Sequence, residues 1–100
     1  MGKTLAEKIL SEKSLTDAKA GDIVIARVDL AFVQDTTGPL TVRQFTSAGL
    51  SLANPARTVL FIDHAAPSPS ASLANDHIFL RDFARKSGAI ISEPGEGICH

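Results

Sequence analysis

The segment Thr58-Val59-Leu60-Phe61-Ile62-Asp63-His64 decides the fold of this chain. Its first five residues form a short apolar run rich in β-branched and aromatic side chains, which is typical of a strand buried on both faces of a parallel sheet. In open α/β sheets, ligands bind in the crevice beyond the carboxyl ends of the strands. The segment therefore predicts a central strand with a polar Asp-His pair at the end where such proteins place their chemistry.

On both sides of this strand, helical patterns alternate with strand-like runs. The predicted helices are Leu5–Lys13, Pro39–Ala48 and Ser72–Lys86. The predicted strands are Ile23–Val28, Thr58–Ile62 and Ala89–Ser92. A regular alternation of this kind predicts an α/β fold with a mostly parallel sheet flanked by helices, and we expect residues 1–100 to form a single α/β unit.

Local signals support several of these boundaries. Thr4 and Glu7 fit a capping box, in which each side chain accepts a hydrogen bond from a free backbone N–H at a helix start. Gly88 follows a basic last turn and is a typical helix stop. The run Ile23–Val28 is short and β-branched, which favours a strand over a helix.

Composition excludes several classes of function. The net charge is -1 and 21% of the residues are charged, so no basic face for nucleic acid is expected. The uninterrupted apolar runs are far shorter than the roughly 20 residues that a membrane-spanning helix needs. Cys99 is the single cysteine, which excludes an internal disulfide framework and favours a cytoplasmic location.

Two histidines differ in what their surroundings predict. An Asp beside a His at a strand end can orient the imidazole and set its tautomer, so Asp63 and His64 are candidates for acid–base chemistry if the backbone turns there. The alternative interpretation is that His64 is a surface or capping residue. His77 lies inside a predicted helix, and we expect it to be a solvated helix residue.

The C-terminal segment offers weaker candidates. Gly95-Glu96-Gly97 resembles part of a phosphate-binding loop, but G-x-G spacing alone has low specificity. Cys99 and His100 could be a thiol nucleophile beside its base or two metal ligands, and a reactive thiol would show a lowered pKa. A buried structural cysteine is the alternative, because two adjacent ligands make a poor closed metal site.

Four segments in order resemble one family. They are Met1–Leu10 (MGKTLAEKIL), Gln34–Leu40 (QDTTGPL), Asp63-His64 and Gly95–His100 (GEGICH). Together they are similar to the N-terminal part of the aconitase superfamily, and most closely to the large subunits of 3-isopropylmalate dehydratase and homoaconitase. The resemblance implies that these residues are the first part of a longer enzyme with a three-layer α/β N-terminal domain, and that this part alone is inactive.

The family is one of hydro-lyases that isomerise a hydroxy di- or tricarboxylate by dehydration and rehydration on a four-iron four-sulfur cluster. By resemblance, Gln34 would bind substrate. His64, oriented by Asp63, would protonate the departing hydroxyl, and His100 would lie beside the iron-bound water. The family's cluster cysteines lie further along the chain than these residues, so no metal ligand is assigned here and Cys99 has no cluster role.

The resemblance leaves the substrate open. Gln34 is similar to the aconitase branch, whereas Thr37–Leu40 is similar to the leucine and homocitrate branches. The substrate candidates are therefore 3-isopropylmalate, homocitrate and citrate, and a small partner subunit is implied for the split members of the family. The remaining alternative is a non-catalytic α/β binding module.

Overall fold

A computed structural model describes residues 2–100. In chain order its elements are α1 (Leu5–Ser14), β1 (Ala31–Gln34), α2 (Gly38–Ser47), a 3-10 turn (Pro55–Arg57), β2 (Thr58–Phe61), α3 (Ala71–Ser87) and β3 (Ile90–Ser92). The three predicted helices and the second and third predicted strands are confirmed to within one residue at each end. The predicted α/β class is also confirmed.

The sheet is parallel, with strand order β1-β2-β3. Ala31 pairs with Thr58 at one side of the central strand, and Val59 pairs with Ile90 at the other. The Ile62 N–H extends the second ladder by donating to the Ser92 carbonyl at 3.0 Å. Because all three strands run the same way, the segments that follow them emerge at one edge of the sheet.

The prediction of a first strand at Ile23–Val28 is wrong. Within residues 2–100 this segment pairs with no strand, and Ile23 and Ile25 are 99% and 94% exposed. The strand beside β2 is Ala31–Gln34 instead. β-Branched residues are favoured in strands because they pack well on a half-buried pleated surface. Their presence does not predict which segment pairs with a neighbouring strand.

The core joins α2, β2 and α3 through Val42, Leu60, Leu80 and Ala84. Gly38, at the start of α2, lies so close to β1 that an added Cβ would come within 3.0 Å of the Val33 side chain. A larger residue would therefore push this helix away from the sheet. This packing fixes the sheet edge against α3.

Capping chemistry sets the helix ends. The Thr4–Glu7 capping box is present, with both reciprocal hydrogen bonds formed. At α3, the Ser70 hydroxyl accepts from the Leu73 N–H at 3.2 Å, and Gly88 ends the helix with a φ of 82°. No helix among residues 2–100 has the length and apolar character needed to cross a membrane.

Candidate active site

The polar residues after the three strands meet at the carboxyl edge of the sheet. Asp35 follows β1, Asp63 and His64 follow β2, and Cys99 and His100 lie beyond β3. Hydrogen bonds connect the three segments, because His64 N–H reaches Asp35 and Cys99 N–H reaches Asp63. The structure thus brings together Asp63, His64 and His100, three of the four site residues predicted from the sequence, and adds Asp35.

Asp63 and His64 form a close pair. The His64 Nδ1 atom lies 2.7 Å from Asp63 Oδ1, although adjacent residues on a continuing strand would point to opposite faces. The pairing is possible because β2 ends at Phe61 and the backbone turns after Ile62. The Asp63 side chain is 2% exposed and the His64 side chain is 32% exposed, so the imidazole remains accessible while its partner is buried.

The electrostatics of Asp63 favour its charged form. Burial would raise the pKa of this carboxyl, but the hydrogen bonds from the Cys99 backbone N–H, at 2.7 Å, and from His64 outweigh burial and lower the pKa below its usual range. An ionised Asp63 accepts from the Nδ1–H tautomer of His64 and so orients the ring. In this tautomer Nε2 is the ring nitrogen that Asp63 does not contact.

His100 lies beside this pair. Its ring centroid is 5.1 Å from that of His64, with an edge-on arrangement, and the residue is exposed. The two imidazoles therefore pack against each other at the carboxyl end of the sheet.

Cys99 does not fit a reactive thiol. It is half-buried, and burial together with the neighbouring Asp63 carboxylate raises the pKa of its thiol. A nucleophilic cysteine needs the opposite shift. The raised pKa does not support a thiol nucleophile at Cys99, and the residue is half-buried rather than buried as the alternative of a structural cysteine predicts.

The segment Gly95-Glu96-Gly97 belongs to a turn that is closed by hydrogen bonds between Glu93 and Glu96. Gly95 has a φ of 89°, and the Glu96 carboxylate accepts from the Glu93 N–H at 2.9 Å. Within the described part of the chain no helix follows this turn.

Asp35 is the residue that the sequence analysis did not single out. It is fully buried, and its carboxylate accepts from the backbone N–H groups of His64 and Ala65, each at 2.9 Å. Burial would raise the pKa of Asp35, but these hydrogen bonds and a third from His77 lower it overall. Asp35 is therefore a buried anion held by donors from two other segments.

The prediction that His77 is solvated is wrong. His77 is only 6% exposed, and its Nε2 lies 2.9 Å from Asp35 Oδ2. The signal was present in the helical spacing, because His77, Leu80 and Ala84 fall three and seven residues apart and share the buried face of α3.

Gln34 ends β1 and is half-buried. Its amide oxygen accepts hydrogen bonds from the backbone N–H of Thr36, at 2.8 Å, and from the Thr36 hydroxyl. The side chain is therefore held by the turn that follows its own strand. Its role in binding substrate stays a prediction.

The donor groups of the site differ from the ligands that hold an iron–sulfur cluster. His64, Cys99 and His100 offer ligand atoms within 4.8 Å of one another, as do Asp35, Asp63 and His64. A four-iron cluster is held by cysteine thiolates, whereas this chain has one cysteine, and the pKa of its thiol is raised. The residues of this chain do not fit the ligand set of such a cluster.

Comparison with known proteins agrees with the resemblance. The chain is 60% identical over its whole length to the 3-isopropylmalate dehydratase large subunit of Elusimicrobium minutum. It is 55% identical to large subunit 2 of Archaeoglobus fulgidus and 48% identical to large subunit 1 of Thermotoga maritima, again over its whole length. The whole chain is therefore similar to part of the 3-isopropylmalate dehydratase large subunit.

The chain matches only part of each dehydratase large subunit. The chain spans 24% of the length of each of these three relatives. No family model matches the chain. Its similarity to the dehydratase large subunits therefore covers all of its own residues and about a quarter of theirs.

Proposed function

We propose that this chain supplies proton-transfer residues to a hydro-lyase that isomerises 3-isopropylmalate by removing and re-adding water. Among the substrate candidates, the names of the relatives favour this one. The observation that carries the proposal is the contact of 2.7 Å between the His64 imidazole and the buried Asp63 carboxylate, at the carboxyl end of the central strand.

His64 donates the proton that the departing hydroxyl needs. Hydroxide is a poor leaving group, and general acid catalysis contributes about 10²- to 10⁴-fold to rates of this kind. With Nδ1–H directed at Asp63, the transferred proton is carried on Nε2 of a side chain that is 32% exposed. In the hydration direction the same nitrogen accepts a proton from the attacking water.

His100 and Gln34 complete the contribution of this chain. His100, whose ring centroid lies 5.1 Å from that of His64, orients the water or hydroxyl beside the two rings. Gln34, at the end of β1, donates its amide N–H groups to a substrate carboxylate. Both roles follow from the resemblance to the dehydratase family and from the position of these residues at the carboxyl edge of the sheet.

Other components complete the site. The family implies a four-iron four-sulfur cluster in the full-length protein, which supplies Lewis-acid chemistry when it is bound. Because the donors described here do not match its ligand set, we propose that cysteines outside these 100 residues hold it. The term large subunit in the names of the relatives implies a small-subunit partner, and a cytoplasmic location stays a prediction from the single cysteine.

The test uses the full-length large subunit assembled with its small subunit. His64→Gln removes the proton donor and keeps a polar side chain of similar length. We expect kcat to fall by at least about 100-fold, with a smaller change in KM, because the lost interaction acts mainly in the transition state. Hydration of the unsaturated diacid that 3-isopropylmalate yields on losing water is followed by its ultraviolet absorbance.

The matched control is Lys86→Gln, which alters an exposed residue in the last turn of α3 and should leave kcat unchanged. If His64→Gln retained half or more of the wild-type kcat, the proposal of a catalytic His64 would be wrong. That result would favour the non-catalytic binding module.

A further inference from the structure

Asp35 collects hydrogen bonds from residues that are far apart in sequence. The N–H of His64 donates to Oδ1, and Oδ2 accepts from the Ala65 N–H and from His77 Nε2, all at 2.9 Å. The Asp35 side chain has no exposed surface. A carboxylate in this position is stable only while these donors remain in place, because water cannot replace them.

His77 connects this carboxylate to the core. It lies on the buried face of α3 together with Leu80 and Ala84, both of which belong to the hydrophobic core. Its ring is therefore held by packing, and its Nε2–H has a fixed direction toward Asp35 Oδ2. Through this contact, the position of α3 determines the position of the Asp35 carboxylate.

The backbone of the Asp63–His64 pair is held on both sides. Before the pair, the Ile62 N–H is bonded to the Ser92 carbonyl at 3.0 Å. At His64 and directly after it, two consecutive N–H groups are bonded to Asp35. The turn that brings the His64 imidazole onto Asp63 therefore depends on Asp35, although His64 Nδ1 and Asp35 Oδ1 are 3.8 Å apart, beyond hydrogen-bond distance.

We propose that Asp35 and His77 are positioning residues that fix the backbone of His64 and so place its imidazole for proton transfer. This inference rests on the proposed function of His64. Residues that orient a catalytic or ligand side chain typically contribute about 10- to 100-fold to activity. Asp35 acts through two backbone N–H groups, and His77 acts through Asp35.

The test is a double-mutant cycle in the full-length large subunit assembled with its small subunit. Asp35→Asn replaces one carboxylate oxygen with an NH2 group. That group cannot accept a hydrogen bond, so the backbone N–H of either Ala65 or His64 loses its acceptor. We expect kcat to fall about 10- to 100-fold, with a smaller change in KM. In the His64→Gln background the same substitution should change kcat less than about twofold, because a positioning residue has no effect once the group that it positions is gone.

A second pair of variants addresses His77. His77→Leu keeps much of the volume and removes the donor, and we expect a loss of kcat similar to that of Asp35→Asn. His77→Gln offers an amide N–H in place of Nε2–H and should recover a large part of that loss. Circular dichroism and the unfolding midpoint confirm that each variant is folded, and rates are expressed per folded molecule.

The outcomes separate the two proposals. Unchanged kcat in His64→Gln overturns the proposed function. A large loss in His64→Gln combined with no loss in Asp35→Asn, or with equal Asp35→Asn losses in both backgrounds, overturns only the positioning role. If Asp35→Asn does not fold, the His77 variants decide the matter, and equal activity of His77→Leu and wild type overturns the inference.

Discussion

At the scale of single residues, the Asp63 carboxylate contacts both His64 and Cys99. Its oxygens receive His64 Nδ1 and the backbone N–H of Cys99, each at 2.7 Å. Burial raises the pKa of the Cys99 thiol, and the neighbouring Asp63 carboxylate raises that pKa further. One buried anion thus orients the histidine and suppresses nucleophilic chemistry at the cysteine.

The reactivity of Cys99 tests this arrangement. At pH 7.5 we expect iodoacetamide to alkylate Cys99 more slowly than it alkylates free cysteine, because only the thiolate reacts. Asp63→Asn should make alkylation faster, since it removes a charge that raises the thiol pKa. Mass spectrometry measures the rate.

Asp82→Asn is the matched control for this experiment. It neutralises a carboxylate of α3 that pairs with Arg85, and the alkylation rate should stay at the wild-type value. Alkylation of wild-type Cys99 at the rate of free cysteine would contradict the raised pKa.

Sequence predicts contacts between residues that are close in the chain and misses those that the topology creates. Asp63 and His64 are adjacent, so their pairing could be anticipated from a turn after a buried strand. Asp35 and His77 are 42 residues apart, and nothing local to either residue indicates the other. Their contact exists because β1 lies beside β2 and α3 packs against the same layer.

At the scale of elements, the helices were predictable because their ends are determined locally. Thr4 and Ser70 satisfy free N–H groups within three residues of themselves, and Gly88 ends α3 through its own conformation. A strand is different, because it is defined by a neighbour that is distant in sequence. Because of this difference, the segment Ile23–Val28 has the composition of a strand without a partner, whereas Ala31–Gln34 pairs with β2.

The cap of α3 gives a prediction at this scale. Ser70→Ala removes the acceptor of the Leu73 N–H and should lower the free energy of unfolding by about 1 kcal/mol. Urea denaturation measures the change. Ser72→Ala, at an exposed position in the first turn of the same helix, is the matched control and should cost nothing. Equal effects of the two substitutions would show that the Ser70 cap contributes no stability.

At the scale of the whole molecule, the carboxylates at the sheet edge make stability depend on pH. The pKa values of Asp35 and Asp63 are lowered by hydrogen bonds, and that of Glu93 is lowered by its paired contacts with Arg81. The shortest of these contacts joins Glu93 Oε1 and Arg81 Nε at 2.6 Å and ties the segment after β3 to α3. Because Arg81 and Glu93 are partly exposed, the buried Asp35 and Asp63 dominate the effect.

The sign of this dependence follows from the direction of the shifts. A carboxyl whose pKa is lower in the folded state stabilises the fold above its unfolded pKa of about 4, and that contribution is lost as the pH falls through the folded value. We expect the free energy of unfolding to fall steadily below about pH 4. Urea denaturation from pH 7 to pH 3 measures it.

Asp35→Asn should reduce the fall in the free energy of unfolding at acid pH. Asp82→Asn, at a partly exposed carboxylate of α3, should leave that fall unchanged. A wild-type free energy of unfolding that stayed constant down to pH 3 would contradict the lowered pKa values of Asp35 and Asp63.

The parallel sheet also has a consequence for synthesis on the ribosome. Each strand pairs with a neighbour about 30 residues away in the chain, and a helix is made in between. While the chain is being translated, β1 has no partner until Phe61 has emerged, and Asp35 must wait for His77. Asp63 meets its last partner only when Cys99 has left the exit tunnel. Among these residues, the contacts at the sheet edge therefore form only after the strands that position them have been made.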